Sequence, residues 1–509
     1  MKTLIIGGVA GGATAATRLR RKAESAEIII IERGQHISYA NCGLPYYAGN
    51  VIEDRNNILL MTPERMKERF NIDVRVLQEA VKINPEDKTV LIRKLDDGTE
   101  YLESYDNLIL ATGSSPLKPP IPGIDQEGIF KLWNVPDADT VREYIENRQP
   151  EKAAVIGGGF IGLEMAENLK HRGINVSIVE MQNQVMAPLD PEMANLIHEN
   201  ICMNDVDLIL GDGVKKFYRA GGVLHIELNS GRIIDTDMVM LNIGVRPNSE
   251  LAKAAGIETN ARGGIIVNDR METSAPGIYA VGDVIEVDNF ITGNKTMIPL
   301  AGPANKQARM LADILTGDEE KYPGTMGTSI AQVFDLNAAS TGINEKQLIA
   351  DGKLRHRDYH VALIQQKSHA GYYPDATLLT LKMIFEPSGK ILGAQIVGQD
   401  GVDKRIDTIA TTIAMGGTVQ NLARLELAYA PPFSSAKDPV NMLGFVAQNI
   451  LDGLVKFTSY DELMELTASD GHVILDVSEA VERSVSSIPG SYHIPLGQLR
   501  ERMNELGKD

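Results

Sequence analysis

The sequence predicts an α/β protein built on two Rossmann-like dinucleotide-binding units, and three observations carry the prediction. A strand–glycine turn–helix–strand pattern runs from residue 3 to 31, it starts again at residue 152, and one of only two cysteines, Cys42, follows the first copy. A chain of 509 residues exceeds what one core can hold and divides into several domains at the usual ~150 residues each.

The first copy reads TLIIGGVAGGATAATRLRRKAESAEIIIIE. Gly7 suits the tight turn and Gly12 the close packing of helix on strand, and the helix N-terminus presents free amides to a pyrophosphate. Val9 stands where the second glycine of G-x-G-x-x-G is expected. Glu32 closes the next strand 20 residues after Gly12, where a carboxylate meets a ribose hydroxyl. The stretch Ser38-Tyr39-Ala40-Asn41-Cys42-Gly43-Leu44-Pro45 comes next. Its small residues let a flat ring approach the sulfur, and Pro45 suits the first turn of a helix. A thiol works as thiolate, whose formation helix N-termini and cationic neighbours favour.

A buried strand then ends in Thr112-Gly113, where small residues let backbone meet a cofactor. Pro116 to Pro122 read as a linker, and the segment before Glu151 carries only a short helical pattern. In KAAVIGGGFIGLEMAENLKHRGINVSIVE, Gly157, Gly159 and Gly162 fill all three glycine positions and Glu180 ends the following strand. Glu180 is followed by Met181, Gln182 and Asn183, with no cation for a ribose phosphate, which favours NADH over NADPH. Two such units imply two dinucleotides, as in a flavoenzyme fed by a nicotinamide. TSAPGIYAVGDV adds a strand ending at Asp283, a carboxylate suited to ribityl hydroxyls.

Composition narrows the function. With 68 acidic and 50 basic side chains the formal charge is −18, which argues against nucleic acid or an anionic membrane as the main partner. No apolar run approaches the ~20 residues that span a bilayer. Two cysteines 160 positions apart form no disulfide framework, so a cytoplasmic, reducing compartment is expected. Position 47, five after Cys42, is tyrosine, so no C-x-x-x-x-C dithiol forms. Cys202 is expected to be structural.

On these motifs the chain resembles, from residue 2 to about 450, the pyridine nucleotide disulfide oxidoreductases. Within them it is similar to the single-cysteine branch that holds coenzyme A disulfide reductases, persulfide reductases and NADH oxidases. The resemblance implies a discontinuous FAD domain (1–115 and 245–325), an NADH domain (116–244) and an α+β dimerisation domain (326–450). It implies FAD contacts at Gly7, Gly12, Glu32, Thr112, Gly113 and Asp283, and NADH contacts at Gly157, Gly159, Gly162 and Glu180. Glu164 matches a carboxylate beside the nicotinamide. Cys42 is the implied redox centre of a homodimer with shared sites. Tyr429, in LAYAPPFSSAKDPVNMLGF, and a second tyrosine in HAGYYPD, Tyr372 in preference to Tyr373, would approach the partner's cysteine. Arg18, Arg21, Ser38 and Asn41 are the implied contacts of coenzyme A. No metal is expected.

Residues 456–509 resemble the opening of a rhodanese domain, and the sequence stops before the cysteine loop that sulfur transfer needs. Three readings stay open: NADH-dependent reduction of coenzyme A disulfide, coenzyme A persulfide or polysulfide; an NADH oxidase working through a Cys42 sulfenate; and a non-catalytic flavin-binding redox sensor. The rhodanese-like tail favours the first over the second.

Overall fold

In the computed structural model, residues 1–467 and 472–507 are described. They form two units, Met1–Gln448 and Asn449–Asp509. Three sheets organise the larger one.

The first is parallel, with strands in the order Ile278–Ala280, Asn107–Leu110, Lys2–Ile6, Glu27–Glu32 and Asp73–Val76. Helices cover such sheets on both faces, so their strands read as unbroken apolar runs. Ile28 to Ile31 meet that demand, each buried. The second sheet is also parallel, in the order Asp207–Leu210, Asn175–Glu180, Lys152–Ile156, Met238–Leu241 and Ile129–Phe130. Between the two, Ser114–Pro116 pairs antiparallel with Val245–Pro247.

The segment before Glu151 is more helical than its pattern predicts. Helix Val135–Arg148 is 14 residues long, with Asn134 accepting from the Asp137 amide and a proline in the first turn. Its apolar face (Val135, Ala138, Val141, Ile145) is buried, and the same core holds Leu44, Tyr47 and Ala48 from just after Cys42. Tertiary packing supplies what the local pattern lacks.

The third sheet is antiparallel, ordered Ser329–Val333, Leu336–Gly342, Ile391–Gly398, Leu378–Phe385 and His360–Lys367. Helices Val402–Ala414 and Val419–Arg424 follow it, matching the expected α+β module. A buried ionic cluster fastens this module to the second sheet. Lys382, 0% exposed, lies 2.8 Å from Asp190 and 2.8 Å from Glu345 and also pairs with Glu192. Burial works against the ammonium, but the three carboxylates outweigh it and raise its pKa.

In Asn449–Asp509, helices Tyr460–Thr467 and Ala480–Val485 accompany a parallel pair of two-residue strands, Leu475–Asp476 and Tyr492–His493. Part of the stretch read as helix-to-strand there, 468–471, lies outside the described residues.

Candidate active site

The two glycine turns repeat each other in detail. Gly7 has φ +103° and a Cβ on it would lie 2.2 Å from the Ala111 carbonyl oxygen; Gly157 has φ +108° and would meet the Asn242 oxygen at 2.3 Å. A Cβ on Gly12 would lie 1.8 Å from the Gly7 oxygen, and one on Gly162 2.0 Å from the Gly157 oxygen. Neither pair tolerates a side chain. Glu32 accepts from the Gly8 and Gly34 amides at 2.9 and 2.7 Å, as Glu180 does from those of Gly158 and Gln182 at 2.7 and 2.8 Å. Gly159 differs, because nothing lies within 4 Å of its Cβ position. Both are cradles with backbone drawn tight beneath the turn, and the second has open space at Gly159, the form a pyrophosphate needs.

The first cradle leads to the cysteine. Ser38, at φ 44°, donates its amide to the Gly8 oxygen at 2.9 Å. Asn41–Gly43 then form one 3₁₀ turn and Leu44–Ala48 a short helix with Pro45 in its first turn. Helix Val135–Arg148 holds the far side: Arg142 donates to the Tyr47, Ile52 and Glu53 carbonyls and to Asn50, while Asp139 accepts from Tyr47 and Arg55.

Cys42 is thus fixed where the two parallel-sheet units face each other. It is open at the surface of the single chain, yet its sulfur is crowded by protein. Burial pushes the thiol up, and the charges of Glu164 and Asp283 add to that. The charged neighbours that act on it are carboxylates. Glu164, on helix Phe160–His171, is itself pushed up to about 7 by burial and by Glu167. Tyr46, which sequence reasoning did not single out, joins the group: burial, then Glu164, Glu167 and Cys42, push it up to about 12.

On the other side, Asp283 accepts from Ser114 Oγ at 3.1 Å, and burial raises its pKa against that bond. Such a carboxylate gains from hydroxyl donors. Thr112 and Gly113 are tied to Asn248, through Thr112 Oγ1 to the Asn248 oxygen at 2.8 Å and the Asn248 amide to the Gly113 oxygen at 2.9 Å.

The tyrosines meet each other. Tyr372 and Tyr429 hydroxyls lie 2.8 Å apart, the rings 76% and 47% exposed. That bond raises the pKa of Tyr372. Tyr373 turns edge-on to His369 instead. Arg18 pairs with Asp313 at 2.7 Å, and Arg21 sits over the Phe70 ring. Cys202 is exposed near the end of helix Pro191–Met203, which corrects its reading as a structural cysteine. Among the described residues no helix is long and apolar enough to cross a membrane.

Comparison with known proteins decides the family. The model of the pyridine nucleotide-disulphide oxidoreductases matches residues 1–308, and that of their dimerisation domain residues 328–439. The chain belongs to this family. Members of this oxidoreductase family use FAD and NAD(P)H, and the cradles, Glu32, Glu180 and the hydroxyl-seeking Asp283 fit those two groups. Reduced Bacillus anthracis CoADR-RHD superposes with TM-score 0.97 at 52% identity, covering 100% of this chain and 90% of that one. A NAD-dependent persulfide reductase from A. fulgidus gives 0.92 at 38%, covering 100% and 93%. The coenzyme A disulfide reductase of Staphylococcus haemolyticus is 34% identical over 88% of this chain and all of its own length. An NADH oxidase of Methanocaldococcus jannaschii is 36% identical over 87% of this chain and 97% of its own.

Proposed function

We propose that the protein is a homodimeric, FAD-dependent NADH oxidoreductase that reduces coenzyme A disulfide, coenzyme A persulfide or polysulfide at Cys42. The carrying observation is that Cys42 lies close to both Glu164 of the second nucleotide-binding sheet's first helix and Asp283 just past the end of the first sheet's strand Ile278–Ala280. The FAD domain comprises 1–115 and 245–325 and the NADH domain 116–244, a division supported by strand Ile278–Ala280 completing the first sheet. FAD, held by Gly7, Gly12, Glu32, Thr112, Gly113 and Asp283, supplies the hydride acceptor for NADH held at Gly157, Gly159, Gly162 and Glu180. Glu180 without a neighbouring cation supports NADH as the donor.

Cys42 thiolate attacks one sulfur of coenzyme A disulfide, the S–S bond breaks, and coenzyme A leaves as a thiolate that takes a proton. Two electrons and a second proton then release the other coenzyme A as thiol and restore the Cys42 thiolate, so that disulfide, NADH and H⁺ become two thiols and NAD⁺. Tyr372 and Tyr429 of the partner subunit supply hydroxyls to the leaving thiolate. Glu164, whose carboxyl burial lifts to about 7, sheds part of its charge beside Cys42 near neutral pH. For the ligand's phosphates Arg21 is the freer cation, since Arg18 already faces Asp313; Ser38 and Asn41 belong to the same short segment as Cys42. The tail from 456 is proposed to be rhodanese-like, which its helices and paired strands support, and a rhodanese-like module in the same chain agrees with persulfide chemistry.

Cys42→Ser tests the proposal. Flavin reduction by NADH should persist while turnover of coenzyme A disulfide and of persulfide both fall by orders of magnitude. Unchanged turnover would remove Cys42 from the reaction. The NADH oxidase reading predicts instead that the lost activity is oxygen consumption.

A further inference from the structure

Two segments far apart in sequence carry the paired tyrosines. Tyr372 lies in the turn between strands His360–Lys367 and Leu378–Phe385, and Tyr429 in the loop before helix Pro439–Leu451. Their mutual hydrogen bond is exposed, so water competes for both hydroxyls and its net contribution is small. That is too little to hold two loops in register.

Beneath the loops lies a buried arginine. Arg405, on helix Val402–Ala414 and 1% exposed, donates from NH2 to the Ser368 carbonyl at 2.6 Å and to Asp438 Oδ2 at 3.1 Å. Its Nε donates to Asp438 Oδ1 at 3.2 Å and its NH1 to the Gly401 carbonyl at 2.9 Å. Asp438 also accepts from Ser434 Oγ and from the Val440 amide. The loops then touch directly, Ala370 donating its amide to the Ser434 oxygen at 3.0 Å. Burial works against the Asp438 carboxylate, but Arg405 and Ser434 outweigh it and lower its pKa.

A forked guanidinium fixes direction as well as charge. Here one prong takes the base of the Tyr372 turn and the fork takes the end of the Tyr429 loop. We infer that Arg405 is a positioning residue for the sulfur-reducing step, setting the Tyr372 turn against the Tyr429 loop so that their hydroxyls reach one point together. The inference rests on the proposed role of the tyrosine pair. A buried ion pair is otherwise weak evidence for stability, since apolar groups of the same volume often do as well; the connection to two loops at once is what gives this one a function.

The test uses the FAD-loaded dimer and the variants Arg405→Lys and Ser434→Ala, each made in the parent and in Tyr429→Phe. Arg405→Lys keeps the charge and loses the fork. Flavin reduction by NADH should stay within about twofold of the parent, the scatter of independent sites. Coenzyme A disulfide turnover should fall roughly ten- to a hundredfold, the scale of a reacting group displaced by about an ångström. In the Tyr429→Phe background the same substitution should cost no more than about twofold further, because the group it positions is gone. Ser434→Ala should show the same pattern more weakly, and it carries the comparison if Arg405→Lys fails to fold. An equal loss of both activities, or the same factor with and without Tyr429, would make Arg405 merely structural. If Tyr372→Phe and Tyr429→Phe each leave turnover unchanged, the tyrosine reading fails and the inference falls with it.

Discussion

The two nucleotide cradles are near copies in their backbone contacts, and one of the positions where they differ is instructive. In each, a glycine amide is held by the carboxylate that ends the next strand, and that glycine's carbonyl takes an amide from a residue with positive φ, Ser38 in the first and Met186 in the second. Glycines 7, 12, 157 and 162 exist because the chain's own backbone fills the space a side chain would need. Gly159 faces empty space, and its counterpart is Val9. A glycine required by the fold and a glycine reserved for a ligand look alike in sequence; only the neighbouring atoms separate them.

The largest effect should come from the glycines the fold requires. Gly12→Ala and Gly162→Ala each force a Cβ into a carbonyl oxygen, a conflict on the order of 3–5 kcal/mol. Thermal unfolding and bound flavin per chain should show the damage; normal flavin content and midpoint in both variants would break the argument.

Next comes the carboxylate by which the second nucleotide cradle's helix reaches the sulfur beside the first cradle. The Glu164 carboxyl, at about 7 in the folded chain against an ordinary 4.5, binds its proton more tightly when folded. Its stabilising contribution is therefore complete below about pH 4.5 and is lost as pH rises through about 7. Glu164→Gln should be progressively more stable relative to the parent from pH 5 to 8, by on the order of 1–3 kcal/mol. Denaturation midpoints of the flavin-free proteins measure it. The same variant should also lower the pH at which Cys42 is alkylated, since a negative neighbour is gone.

Gly159→Ala should leave folding and flavin untouched and raise the KM for NADH by about tenfold, or ~1.4 kcal/mol, by narrowing the reserved space. A fall in flavin content instead would place that glycine with the other four. The smallest change is Val9→Gly, expected to cost under ~1 kcal/mol in thermal stability, mainly through chain entropy, and to leave NADH kinetics as they are.

What was legible in the sequence follows the reach of the interactions. The cradles, Glu32, Glu180 and Asp283 depend on spacings of about twenty residues or on a strand end, and local pattern displays them. Tyr46 depends on Glu164 and Glu167, more than a hundred positions on, so nothing beside it in the chain marks it. Arg18 reads as a free cation on a basic helix, whereas its partner Asp313 lies 295 residues later. Cys202 reads as a core residue because thiols commonly are, but it projects from the exposed side of its helix. The helix before Glu151 escaped because the core that stabilises it is built largely from other segments.

The Lys382 cluster has a consequence for descent. Replacing the lysine alone, or one of its buried acids alone, leaves an uncompensated charge in the interior at a cost of about 3–5 kcal/mol. Substitution one residue at a time must therefore cross a poorly folded intermediate, and Asp190, Glu345 and Lys382 should be inherited as a block. Lineages in which the lysine has become apolar should have lost the facing acids too, so that the junction between nucleotide unit and antiparallel sheet varies by whole sets of residues rather than by single ones.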